Sequence, residues 1–146
     1  MKRLASTIAS EAAASAAAGW VEAARGRGLA FDDSIQDLAT LLVVAYPGLR
    51  AQVVSRPGDV IAITRGKLRI ARDLRGYRRL AATFVPDLSD PAAVRRGLRL
   101  FAQQERLRIA ARELRPHESG DIDTTARELS DLAQVCIEVA LAEAQR

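Results

Sequence analysis

The residues best placed to do chemistry are Glu105, Arg108 and Arg112, spaced three and four apart. On an α-helix that spacing stacks them about one turn apart on a shared face. The same projection sets them among Val94, Leu98, Phe101 and Ile109, all apolar. Charge in such company is tolerated when paired and hydrogen-bonded, and arginine suits that role through its planar, multi-donor guanidinium. One reading is therefore a partly buried Glu105–Arg108–Arg112 cluster with a structural role. The other is a surface pairing along the helix, contributing about 0.2–0.5 kcal/mol.

Three further motifs invite a chemical reading and fail its requirements. Asp121-Ile122-Asp123 has the spacing of a two-carboxylate metal site. Magnesium needs more oxygen ligands than that pair supplies, and carboxylates at a helix N-terminus are already favoured by its dipole. Gly66-Lys67-Leu68 lacks the upstream glycine and the following Ser/Thr of a phosphate-binding loop. Cys136 and His117 are the sole cysteine and histidine, so an internal disulfide and a cysteine zinc site are excluded, and a Cys–His dyad has no third partner. Cys136 lies on an apolar helix face, as a small buried hydrophobe would. No catalytic, cofactor-binding or metal-ligating residue is assigned.

The element that positions the charged trio is Asp90 to Leu114. Asp90 is an N-cap, and Pro91 sits where a helix needs no N–H. Val94, Leu98, Phe101 and Ile109 form one apolar face; Leu100, Leu107, Ala110 and Leu114 form another, nearly opposite. Arg95, Arg99, Arg106 and Glu113 lie between. A helix apolar on two sides is interior, so this is the expected central packing element.

The chain has 146 residues, enough for one domain with a substantial core. Ala, Leu and Arg dominate and aromatics make up 4%, a balance that favours helices over strands. No apolar run is long enough to cross a bilayer. The start, Met1-Lys2-Arg3-Leu4 and then alanines, resembles a secretory signal, but Glu11 and several serines interrupt it. The expectation is an ordinary helix of a cytoplasmic protein.

Net charge is +4 and unevenly placed. Between Arg65 and Arg115 fourteen basic residues meet five acidic ones, so that segment carries about +9 and the remainder about −5. Such a patch can meet nucleic acid or an acidic protein surface. Without interleaved aromatics for base stacking, the reading favours a solvated or protein-facing patch over nucleic acid.

Taken in order, residues 4–24 predict an Ala-rich helix anchored by Ile8, Trp20 and Val21 and ended by Gly26 and Gly28. Asp32-Asp33-Ser34 caps a second helix through Ile35, Leu38, Leu41, Leu42 and Ala45. Pro47 starts another through Val53, and Ser55–Gly58 is a turn. Val60–Ile63 is read as helical for want of a partner strand. After Gly66, Ile70, Leu74, Tyr77, Ala81 and Phe84 recur at helical spacing. In the last helix Thr125 to Glu128 fits a capping box, and Leu129, Leu132, Ala133, Cys136, Ile137 and Ala140 form its apolar stripe. The fold class expected is all-α, an irregular bundle of about six helices, with an Ala-rich helix over 1–30 and a helical domain over 31–146.

Two of these helices carry a resemblance. Residues 98–114, LRLFAQQERLRIAAREL, resemble the LRxFRRREMxRIAxRDL stretch of the bifunctional glutamine synthetase adenylyltransferase/adenylyl-removing enzyme. Residues 125–133, TARELSDLA, are similar to its TxxELSDLA helix, and Leu38–Leu42 with Pro47 and Leu49 loosely match an earlier LAxLL…PxL helix. Ala102-Gln103-Gln104 replaces most of the family's arginine run. In that family the helical region precedes a nucleotidyltransferase core marked GKLGxxELNxxSDxD, whose aspartates hold magnesium. These 146 residues contain no such signature.

The resemblance therefore implies the helical N-terminal portion of an enzyme that attaches AMP to glutamine synthetase and removes it by phosphorolysis, in control of nitrogen metabolism. The implied partners are glutamine synthetase, a PII-type regulatory protein and the catalytic core; magnesium and ATP belong to the full-length enzyme, with no cofactor expected on this chain. The alternative is a free-standing helical interaction module with a basic face of Arg69, Arg72, Arg79, Arg95 and Arg99.

Overall fold

The computed structural model describes residues 2–66, 70–114 and 122–146; the side chains of residues 2–10, 12 and 13 lie outside that description. Among the described residues the fold is all-α. The helices are α1 (Lys2–Gly26), α2 (Asp33–Ala45), α3 (Arg50–Ser55), α4 (Pro57–Arg65), α5 (Leu74–Phe84), α6 (Pro91–Glu113) and α7 (Ile122–Ala144), with a 3-10 turn at Pro47–Leu49. The seven helices among the described residues fit the expected bundle of about six, and the turn expected at Ser55–Gly58 shrinks to Arg56. Proline disfavours helical geometry in the residue before it and is itself at home at the first helical position, so α3 stops at Ser55 and α4 begins at Pro57.

The chain forms two compact units, Met1–Leu68 and Arg69–Arg146. The division thus falls after α4, and the boundary expected at residue 30 lies inside the first unit. In that unit α1 packs on α2, α3 and α4. Trp20 is fully buried and meets Phe31 edge-on, with ring centroids 4.7 Å apart. Gly28 ends the α1 turn at φ 66°, the left-handed conformation that glycine adopts without Cβ strain. The Leu29 and Gly28 amides donate back to the Ala24 and Arg25 carbonyls at 3.0 and 2.9 Å, a Schellman closure. Asp32 caps α2 by accepting from the Ile35 amide at 3.0 Å. The expected anchor Ile8 falls among the side chains outside the description.

The second unit packs α5, α6 and α7 on one another. Tyr77, Ala81, Phe101, Ile109, Leu132 and Val135 form its core. Phe101 meets Tyr77 and Phe84 at centroid distances of 6.3 and 5.7 Å. Asp90 caps α6 as expected, accepting from the Ala92 amide at 2.8 Å. Helix α5 starts later than its periodicity suggests: Asp73 caps it by accepting from the Gly76 amide at 2.7 Å, and Ile70 lies exposed before it. At the other end of α5, a Cβ on Gly97 of α6 would come within 2.8 Å of Val85 Cγ2 and closer still to the Phe84 carbonyl oxygen. Only glycine permits that approach.

Candidate functional site

Helix α6 carries an uninterrupted buried run, Leu107 to Arg112, with Glu105 before it. The charged trio is buried, Arg112 to 1% exposure, which settles the surface pairing against the buried cluster. Arg108 Nε donates to Glu105 Oε2 at 2.7 Å. Arg112, in contrast, turns away from Glu105 and pairs with Glu128 of α7 through Nη1. Glu128 is thus the centre that the sequence reading missed. Its Oε1 accepts from Arg108 Nη2 at 2.5 Å, from the Arg72 amide at 2.6 Å and from the Tyr77 hydroxyl at 3.3 Å.

Further hydrogen bonds surround it, although Arg112 Nε is buried without a hydrogen-bond partner among the described residues. Arg72 Nε reaches Glu105 Oε2 at 2.9 Å. Arg108 Nη2 also donates to the Tyr77 oxygen at 3.0 Å. Thr125 Oγ1 accepts from Arg112 Nη2 at 3.1 Å and donates to Glu113. Two carboxylates and two guanidiniums are therefore buried together, with the partly exposed Arg72 as a fifth charge. Burial opposes the charge on Arg108, but Glu105 and Glu128 more than offset it, so its pKa is raised. Burial also raises the Tyr77 hydroxyl above its ordinary value. With both oxygens of Glu128 and Oε2 of Glu105 engaged by donors, the cluster is a clamp that ties α6 to α7 and to the segment ahead of α5.

The capping box at Thr125 to Glu128 is accordingly corrected. Helix α7 begins at Ile122, so Thr125 and Glu128 are both interior to it. Glu128 projects with Leu132 and Val135 onto the buried face at spacings of four and three, a signal visible in the sequence once the helix is extended by one turn. Arg72 likewise leaves the expected basic face for the clamp. Asp123 is exposed at the start of α7. Lys67, Leu68, Arg69, His117 and Asp121 lie outside the described residues. Among the described residues no group of three His, Cys, Asp or Glu side chains is placed to hold a metal. No single described helix is long and apolar enough to cross a membrane.

Two surfaces of the second unit remain uncovered. The expected apolar stripe of α7 divides: Leu132 is buried, while Leu129 (43% exposed), Ala133, Ile137 (66%) and Ala140 face outward, joined by Leu141 (54%). On α6, Arg95, Arg99 and Arg106 are exposed, and among the described residues none has an ion-pair partner, unlike Arg78, which chelates Glu138 at 2.8 and 2.7 Å. Cys136 is a half-buried free thiol whose pKa is raised by burial and partly lowered by nearby Arg106. Between α5 and α7 lies an open apolar groove of about 360 Å³, lined by Ala81, Val85, Leu88, Val135, Val139 and Ala142.

No protein-family model, curated protein or solved structure matches the chain.

Proposed function

We propose that this chain is the helical portion of a glutamine synthetase adenylyltransferase/adenylyl-removing enzyme, a cytoplasmic scaffold that supports a nucleotidyltransferase core. The observation that carries the reading joins the two resembling stretches. The arginines of RIAAREL and the glutamate of TARELSDLA, 20 and 16 residues apart and on different helices, meet as Arg108, Arg112 and Glu128 in one buried clamp. Residues that look like a family motif are here the residues that lock α6 to α7. The uncovered apolar side of α7 supports the same reading, since a helix face of that kind is normally covered by another module.

On this reading the catalytic steps, with their magnesium and ATP, take place on the core, and glutamine synthetase and a PII-type protein are partners of the assembled enzyme. The chain contributes rigidity and a seat. The test is to sequence the gene beyond the codon for Arg146. A continuation carrying the GKLG signature and its paired aspartates is expected; an unrelated continuation, or a stop codon with no such signature in any frame nearby, would overturn the assignment. Arg95 and Arg99, exposed and without an ion-pair partner among the described residues, favour a second reading, an interaction module working through its basic face.

A further inference from the structure

The two uncovered surfaces of the second unit belong together. Helices α6 and α7 run antiparallel, because Arg112 and Glu113 at the end of α6 meet Thr125 near the start of α7, while Arg106, earlier in α6, neighbours Cys136, later in α7. Cys136 is half-buried against the core, and in helical projection it falls between the inward Leu132 and the outward Leu129 and Ala140, on the edge of the stripe that Arg106 neighbours. The α6 arginines therefore border that stripe. Arg95, Arg99 and Arg106 fall within about 60° of one another around the helix and extend about 16 Å along it. The result is a long apolar strip edged by a row of cations that have no ion-pair partner among the described residues.

We propose that this strip is a docking site for an amphipathic helix with an acidic flank, its apolar side on α7 and its carboxylates facing Arg95, Arg99 and Arg106. Charge complementarity selects the partner: its carboxylates would supply the counter-ions these arginines lack within the described residues. A second copy of this chain docked antiparallel across the strip would set arginine row against arginine row. A lipid surface is disfavoured by the shape of the strip. Leu129 and Ile137 alternate with Ala133 and Ala140, which lets a helix approach closely but offers little bulk to insert among acyl chains. The inference rests on the reading of α7 as a covered face and adds the chemistry of what covers it; it is independent of which enzyme that cover belongs to.

The test uses two labelled synthetic helices of 23 residues, the length of α7, sharing one Leu/Ala stripe and differing only in Glu or Lys along one flank. Fluorescence anisotropy against the whole chain is expected to show the Glu helix binding about tenfold more tightly, the sum of three exposed charge contacts, with the preference fading at high salt. The Arg95→Glu/Arg99→Glu/Arg106→Glu variant, checked for helicity, is expected to prefer the Lys helix. Equal affinity for both helices, no binding of either, or retention of the Glu preference by the variant overturns the proposal. So does preferential binding to phosphatidylglycerol vesicles. An apolar dye reads the α7 face separately: dye binding lost in Ile137→Glu upholds the covered face even where the charge preference fails.

Discussion

Replacing Glu128 by alanine separates its two readings by size. A capping glutamate at a helix start contributes about 1 kcal/mol. In the structure Glu128 instead accepts from Arg72, Tyr77, Arg108 and Arg112. Its removal leaves Arg108 with Glu105 at 2.7 Å, but leaves Arg112 with the neutral Thr125 hydroxyl at 3.1 Å and, as its one carboxylate among the described residues, the edge of Glu113 at 3.5 Å. A guanidinium at 1% exposure without its counter-ion costs about 3–5 kcal/mol. The second unit spans residues 69–146, for which a total stability of about 4–12 kcal/mol is ordinary. Glu128→Ala is therefore expected to lower its midpoint by more than about 12 °C, or to unfold it. Removing Arg112 as well, as Glu128→Leu/Arg112→Met, leaves the neutral Arg108–Glu105 pair and recovers most of the loss. Urea and thermal unfolding followed by far-UV circular dichroism measure both, with Trp20 emission confined to the first unit. A single-variant loss near 1 kcal/mol, or a double variant no better than the single, refutes the clamp.

Gly97→Ala forces its methyl against the Phe84 carbonyl and Val85; a loss of about 1–3 kcal/mol is expected by urea unfolding, where an exposed helical glycine would gain. Glu138, hydrogen-bonded by Arg78 and Gln134, has its pKa lowered to about 2. Since the folded value lies below the unfolded one, the associated stability is present above about pH 4.5 and is lost as pH falls toward 2. A carboxyl NMR titration giving an ordinary value would contradict the pairing. Burial raises Tyr77, so its hydroxyl should stay protonated as pH passes 10, and the stability it lends is lost only as pH rises further. Ultraviolet titration of a Tyr46→Phe variant, which leaves Tyr77 as the one tyrosine, checks this directly.

Much of the second unit is legible in its sequence because its signals are local. Asp90-Pro91 opens α6, and Tyr77, Ala81 and Phe101 are core residues as their spacing implies. The charged trio is buried as its apolar neighbours require. What local pattern cannot supply is the partner of each charge. Thr-x-x-Glu reads the same whether the helix begins at Thr125 or one turn earlier, and the difference turns Glu128 from a cap into a counter-ion. Arg72 likewise looks like one more surface arginine until Glu105 and Glu128, 33 and 56 residues away, take hold of it. The α7 stripe shows the converse limit: periodicity identifies a face as apolar but not whether anything covers it.

The reach of Glu128 back to residue 72 has a bearing on how the second unit assembles. A chain emerging from the ribosome completes α5 and all of α6 before α7 exists, and in that interval Arg108 and Arg112 share only Glu105 and Glu113 between them. The segment ahead of α5 has no anchor for its amide until residue 128 arrives. Closure of this half is thus a late event set by its final helix, and a ribosome-bound chain ending at residue 121 should still be loose, however helical its individual pieces.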